Sequence, residues 1–346
     1  MRSIESDWEI PRRDFLKLAG LGLIGALAPF SLARPVKAQA DEQLGRVLEA
    51  TIPLYDKPSF KARQILTVWK DHVLPITDVT IGDQDPPFNR VWYQLNGQGY
   101  AHSGSVQPVR IRLNEPAAAI PVSGQVGEIS VPYTDAVKDL GSPGVTFYRL
   151  YYGSTYWVIS MTKDPQGMAW YAILDDRLKS IFYAQAKHVR LVPEIELSPR
   201  SPQVPAELKR IEVYLQHQAV IAYEDNQPVF MTRAATGARF ASGNYSTDPG
   251  KYQIYRKSPS RHMASGDKVS ADGFDLPGVP WVSFITDDGM AFHGTYWHNN
   301  FGKARSHGCV NVPTPAAKWI YLWSLPSMPA GEVYLYNPPG TAVEVI

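Results

Sequence analysis

Residues from about Val47 to Val192 read as one segment written twice, and a duplication of this kind has to fold as two copies of one small unit. Val91-Trp92-Tyr93-Gln94-Leu95 corresponds to Ala169-Trp170-Tyr171-Ala172-Ile173. Each is followed by a polar turn, an aromatic-Ala pair (Tyr100-Ala101, Tyr183-Ala184) and a closing Val-rich run. At the openings, Ala50-Thr51-Ile52-Pro53-Leu54-Tyr55 parallels Ile129-Ser130-Val131-Pro132-Tyr133. Short strands separated by Gly, Asn and Asp turns describe a small barrel. Trp92, Tyr93, Trp170 and Tyr171 are expected in the cores, because strand aromatics pack more often than they bind.

With Gly, Pro and aromatics plentiful and sustained helical periodicity scarce, the fold class is all-β, or mainly β. The 346 residues suggest about two to three domains. A net charge of +1, without a Lys/Arg cluster, excludes nucleic acid and other polyanions as expected partners. Pro193 to Pro205, with Pro199 and Pro202 between them, reads as a semi-rigid linker. The expected division is 41–118 and 119–195 for the two copies, 196–206 for the linker and 207–346 for a last domain. That domain opens on a hairpin, Ile211–Leu215 against Ala219–Tyr223, with His217-Gln218 as its turn. Thr314 as N-cap and Pro315 at the first helical position predict a short helix through Trp323.

The first forty residues differ in kind. Pro11-Arg12-Arg13-Asp14-Phe15-Leu16-Lys17 precedes an apolar run from Leu18 to Leu32, and Ala38-Gln39-Ala40 offers a small-x-small cleavage site. Residues 1–40 are expected to be a twin-arginine signal peptide, which directs the protein to the periplasm or cell wall. The run falls short of the roughly twenty strongly apolar residues that span a bilayer, so no stable membrane span is expected after cleavage.

Chemistry concentrates between His293 and Cys309, the only cysteine of the chain. A lone thiol in an exported protein is an inert buried group, an intermolecular bridge or a nucleophile. Gly308 lets backbone N–H groups approach a tetrahedral oxyanion, which favours the nucleophile. Spacing alone does not decide which histidine is its base. His293, His298, His307 and Cys309 are potential zinc ligands, but their spacing fits no zinc motif, and neither metal nor cofactor is expected. Asp287 and Asp288, beside Gly289, read as a solvated turn.

The segment resembles the L,D-transpeptidase (YkuD) family, whose signature is His-Gly or His-Ser followed after a gap by Ser/Thr-His-Gly-Cys, an apolar residue and Asn or Arg. His293-Gly294 and Ser306-His307-Gly308-Cys309-Val310-Asn311 fill both halves. Thr236-Gly237 and Thr247-Asp248-Pro249-Gly250 resemble the upstream motifs, with Asp248 and Pro249 shifted in order. The resemblance implies a β-sandwich catalytic domain in which His293 takes the proton of Cys309 and the carbonyl of Gly294 fixes its tautomer. It leaves His307 to support the loop or to line the oxyanion hole with Gly308. Tyr296, Trp297, Arg305, Ser306 and Asn311 are the candidate substrate contacts. The duplicated segments resemble bacterial SH3-like domains.

The activity implied is an exported transferase that cross-links peptidoglycan stem peptides through a cysteinyl acyl-enzyme, with carbapenem β-lactams as covalent inhibitors. An L,D-carboxypeptidase would use the same site with water as acceptor. A wall-binding protein without catalysis is the third reading, against which the intact His293, Gly308 and Cys309 argue.

Overall fold

The computed structural model of the protein describes residues 42–141, 144–241, 243–265 and 273–346. The expected export signal lies outside them. Among the described residues no helix is long and apolar enough to cross a membrane.

Residues 44–109 form one seven-stranded antiparallel sheet and residues 125–191 a second. With strands counted along the chain in each, both sheets have the spatial order third, second, sixth, fifth, fourth, first, seventh. Val91–Leu95 and Ala169–Leu174 hold the same place in that order. The openings align differently from the sequence reading, since Thr51–Tyr55 corresponds to Tyr133–Val137. The turns set this register: the Asp71 N–H donates to the Val47 carbonyl at 3.0 Å as the Gly153 N–H does to Ile129 at 2.9 Å. Pro53 and Pro132 are therefore not equivalent. Asp71 and Gly153 both take positive φ, 64° and 75°, at this corner.

Each sheet has its own core. Val47, Leu54, Leu95 and Val106 fill the first, and Ile129, Leu150, Tyr171 and Phe182 the second. Trp92, Trp170 and Tyr171 are buried and Tyr93 is half-buried, as packing aromatics should be.

Residues 209–345 fold as a sandwich of two five-stranded sheets. Lys209–Tyr214 pairs with Ala219–Glu224 in the expected hairpin and runs parallel to Ala342–Val345. The facing sheet holds Arg256–Ser265, Phe274–Phe284, Ala291–Gly294, Val310–Val312 and Leu335–Tyr336. Ala219–Glu224 shows the strand period: Val220 and Ala222 point into the main core, while Ile221 and Tyr223 join Tyr214 on the other face. The helix Thr314–Trp323 plugs that core with Ala317 and Ile320 beside Phe292 and Val310. It begins one residue earlier than expected, with Pro313 in the N-cap position, and Thr314 Oγ1 donates to the Thr295 carbonyl instead of capping.

The stretch 193–205 that reads as a semi-rigid linker does not keep its neighbours apart. Val126, Trp157 and Val192 of the second sheet lie in the same core as Ile211, Trp281 and Tyr321. Thr155 Oγ1 donates to the Pro259 carbonyl at 2.7 Å and the Tyr156 hydroxyl to that of Pro277 at 3.1 Å, both buried. The Pro-rich stretch is docked as well, with Glu196 bridging Arg190 at 2.8 Å and Lys318 at 2.9 Å. These contacts hold the segment against both neighbours, so it does not space them.

Candidate active site

Strands Ala291–Gly294 and Val310–Val312 run parallel, with Phe292 opposite Val310 and His293 opposite Asn311. Side chains alternate along a strand, so His293 and Cys309 lie on one face as diagonal neighbours, and Cys309 stands opposite Ala291. The Trp297 ring is 5.8 Å from that of His293, and Trp297 and Cys309 each pack against the small cluster of Val279, Val282 and Ala291. Two groups distant in sequence become neighbours because a parallel crossover returns the chain beside itself.

His293 is buried, and its Nδ1 is 2.9 Å from the Gly294 carbonyl. Only a protonated Nδ1 can donate to that oxygen, which leaves Nε2 with its lone pair. Burial pushes the imidazole down to about 4, against a smaller opposing effect of the Gly294 bond. Cys309 is half-buried, and its thiol donates to the Gly289 carbonyl at 3.6 Å. Burial pushes that thiol up to about 11, with the Ala291 N–H pulling the other way and Asp288 adding to the rise. Desolvation dominates both groups, so the resting pair is thiol plus neutral imidazole.

The loop before Cys309 is tied to the segment that links the strands Gln227–Arg233 and Gly250–Gln253. The Arg305 and Ser306 N–H groups both donate to the Thr236 carbonyl, at 2.7 and 2.9 Å. Thr247 Oγ1 accepts from the Gly237 N–H and donates to the Gly308 carbonyl, each at 2.8 Å. A Cβ on Gly237 would stand 2.0 Å from the Tyr245 carbonyl oxygen, so the loop closes only on glycine there. Gly308 has φ +106°, in the left-handed range that side chains avoid. Ser306 is buried, and its hydroxyl donates to the Cys309 carbonyl at 2.5 Å.

The other candidates separate. His307 is exposed and stacks on Phe240 at 4.6 Å, with Tyr245 at 4.7 Å and Phe274 at 5.5 Å around it. Arg305 is exposed. Tyr296 is buried, with its hydroxyl on the Pro277 carbonyl at 2.7 Å, and does not line the cleft. Asn311 is buried; its side-chain amide faces His298 Nε2 at 3.0 Å, and its backbone pairs with Ala235. His298 Nδ1 accepts from the Asn300 N–H, and burial pushes this imidazole down to about 3. Among the described residues no three His, Cys, Asp or Glu side chains are grouped as a metal ion would need.

Cys309, Gly308 and His307 open onto a cleft of ≈ 810 Å³ with Tyr245 and Tyr252 on its walls. Sequence reasoning missed four contributors. Gln218, in its turn at φ 48°, holds Thr236 through Oε1 to the N–H at 2.8 Å and Nε2 to Oγ1 at 2.7 Å. Arg46 of the first sheet donates to the Tyr296 carbonyl at 2.5 Å, and the Asn299 side chain donates to the Ser103 and Val106 carbonyls at 3.1 Å, so the Trp297 loop is braced from outside. Arg177 of the second sheet lines the cleft. Nothing in their local sequence marks them, as each acts across a long chain separation.

Residues 208–345 match the model of the YkuD family, described as the L,D-transpeptidase catalytic domain. Among solved structures, an Enterococcus faecium L,D-transpeptidase C442S mutant is 20% identical over 40% of this chain and 49% of its own, with a TM-score of 0.31. A Mycobacterium smegmatis L,D-transpeptidase is 14% identical over 51% and 90%, at 0.33. The E. faecium catalytic domain acylated by ertapenem is 22% identical over 40% and 96%, at 0.29. The chain spans about half the length of the first two solved structures it matches, 49% and 55%. No curated protein matches it.

Proposed function

With an L,D-transpeptidase catalytic domain at residues 208–345, we propose that the protein is an exported cysteine acyltransferase that cross-links peptidoglycan stem peptides. The observation that carries this is the shared face of His293 and Cys309, with Nδ1 of His293 held by the Gly294 carbonyl.

Because the resting pair is neutral, the proton leaves Sγ as the thiol attacks, and Nε2 of His293 receives it. The sulfur–carbon bond forms at the L-centre carbonyl of the third residue of a stem tetrapeptide. The backbone amides at Gly308 and Cys309 receive the oxyanion, a placement that the left-handed Gly308 allows. The carbon–nitrogen bond to the terminal D-amino acid then breaks, and Nε2 returns the proton to the departing amine. A side-chain amine of a second stem attacks the thioester, loses its proton to Nε2 and releases the thiol. One difficult amide exchange becomes two acyl transfers. Trp297 shields the pair from water, and carbapenems acylate the same sulfur.

The test is incubation with a disaccharide-tetrapeptide and mass analysis of protein and products. An acyl-enzyme together with a cross-linked dimer supports the proposal. Tripeptide without dimer would reassign the acceptor to water, and the absence of any adduct on Cys309 would overturn the reading.

A further inference from the structure

We propose that Arg177, which reaches the cleft from the second seven-stranded sheet, binds a carboxylate of the acyl donor, so that donor choice is set partly outside residues 208–345. The inference rests on the acyl-transfer reading above. Arg177 and Arg261 line the same cleft as Cys309. Arg261 is answered by Asp176 at 2.7 Å. Arg177 spends one N–H on the Ala264 carbonyl at 3.0 Å and pairs with no carboxylate among the described residues, which leaves most of its planar fork for a ligand.

This guanidinium is placed, because its turn is locked to the cleft wall. Asp175 Oδ1 accepts the N–H groups of Arg177 at 2.9 Å and Leu178 at 2.7 Å. Its Oδ2 meets Nδ1 of buried His262 at 2.8 Å, and His262 Nε2 meets Asp275 at 2.5 Å. The His262 backbone N–H donates to Asp176 at 2.7 Å. The strand Arg256–Ser265 and the turn after Leu174 therefore move as one body. Charge along the cleft is graded: Asp288 lies near enough to Cys309 to raise its pKa, and Asp248 also lines the space, while the turn contributes Arg177. A donor carboxylate is repelled from the acidic side and received by Arg177.

The test uses the full chain with stem tetrapeptide donors in which each carboxylate is amidated in turn, and reads acylation of Cys309 by intact mass for the wild type, Arg177→Ala and Arg177→Lys. We expect amidation at one position to slow the wild type about tenfold, Arg177→Ala to lose about as much with the unmodified donor, and amidation to cost that variant nothing further. Arg177→Lys should recover part of the loss. Equal slowing of Arg177→Ala with every donor, or none, overturns the proposal. Iodoacetamide labelling of Cys309 at the same rate in all three proteins shows the thiol intact. If the wild type labels but no donor acylates it, the transpeptidase reading itself fails and this proposal falls with it.

Discussion

Tyr156 lays its ring against the backbone of Gly278, where an added Cβ would stand 2.3 Å from the ring. One residue belongs to the second seven-stranded sheet and the other to the longest strand of the catalytic sandwich. Gly278 also has φ +74°. Replacing it with Ala should destabilise the protein by about 2–4 kcal/mol, from overpacking plus the left-handed backbone. Denaturant unfolding would measure this, and adding Tyr156→Ala should return part of the loss if the clash is the cause.

The shared core makes a second prediction about truncation. A chain beginning near residue 119 keeps Val126, Trp157 and Val192 over the catalytic core, whereas one beginning near residue 207 exposes the apolar surface they cover. The longer fragment should unfold cooperatively and the shorter should aggregate or melt at least about 10 °C lower, since a few kcal/mol is a large share of a domain's stability. Equal melting temperatures would refute the coupling.

Cys309→Ala should abolish the covalent adduct with a carbapenem or tetrapeptide while changing stability by less than about 1 kcal/mol, because the change removes little volume. His293→Ala should leave slow acylation, sustained by the oxyanion site and binding alone. Intact mass over time separates the two variants.

The pH dependence follows from burial. The folded-state pKa of His293 is depressed to about 4 from 6.5, so its contribution is present above about pH 6.5 and lost as pH falls towards 4, about 3 kcal/mol in all. His298, pushed to about 3, adds to the same acid limb. Urea midpoints between pH 7 and 4 should fall, and His293→Gln should flatten the slope. Cys309, raised to about 11, should show no thiolate shoulder in its alkylation rate below about pH 9.

Thr247→Val removes at once the acceptor for the Gly237 N–H and the donor to the Gly308 carbonyl. The expected loss is about 1–3 kcal/mol, with a larger proportional drop in acylation than Cys309-free controls of stability would suggest. Thr247→Ser should retain both bonds, and its acylation rate checks the assignment.

The β class, the hairpin of 211–215 with 219–223, the helix through Trp323 and the candidacy of His293 and Cys309 were legible in the sequence alone, because strand alternation, turn residues and a short motif are all local patterns. The tie of His293 to Gly294 was legible through family resemblance, since a histidine and the carbonyl of its neighbour are close in any register. Tertiary structure decided the rest. The alignment of the two copies depends on which carbonyl accepts the Asp71 and Gly153 N–H groups, and it lies three positions from the one that pairs Pro53 with Pro132. The titration of Cys309 and His293 depends on desolvation, which no spacing reveals. Tyr296 and Asn311 belong to the interior, and Arg46 and Arg177 reach the site from separate sheets, because contacts across tens to hundreds of residues are set by how sheets dock. A proline-rich stretch has the composition of a spacer, yet its prolines only stiffen the chain; the apolar faces of Trp157 and Val192 decide that the units on either side merge.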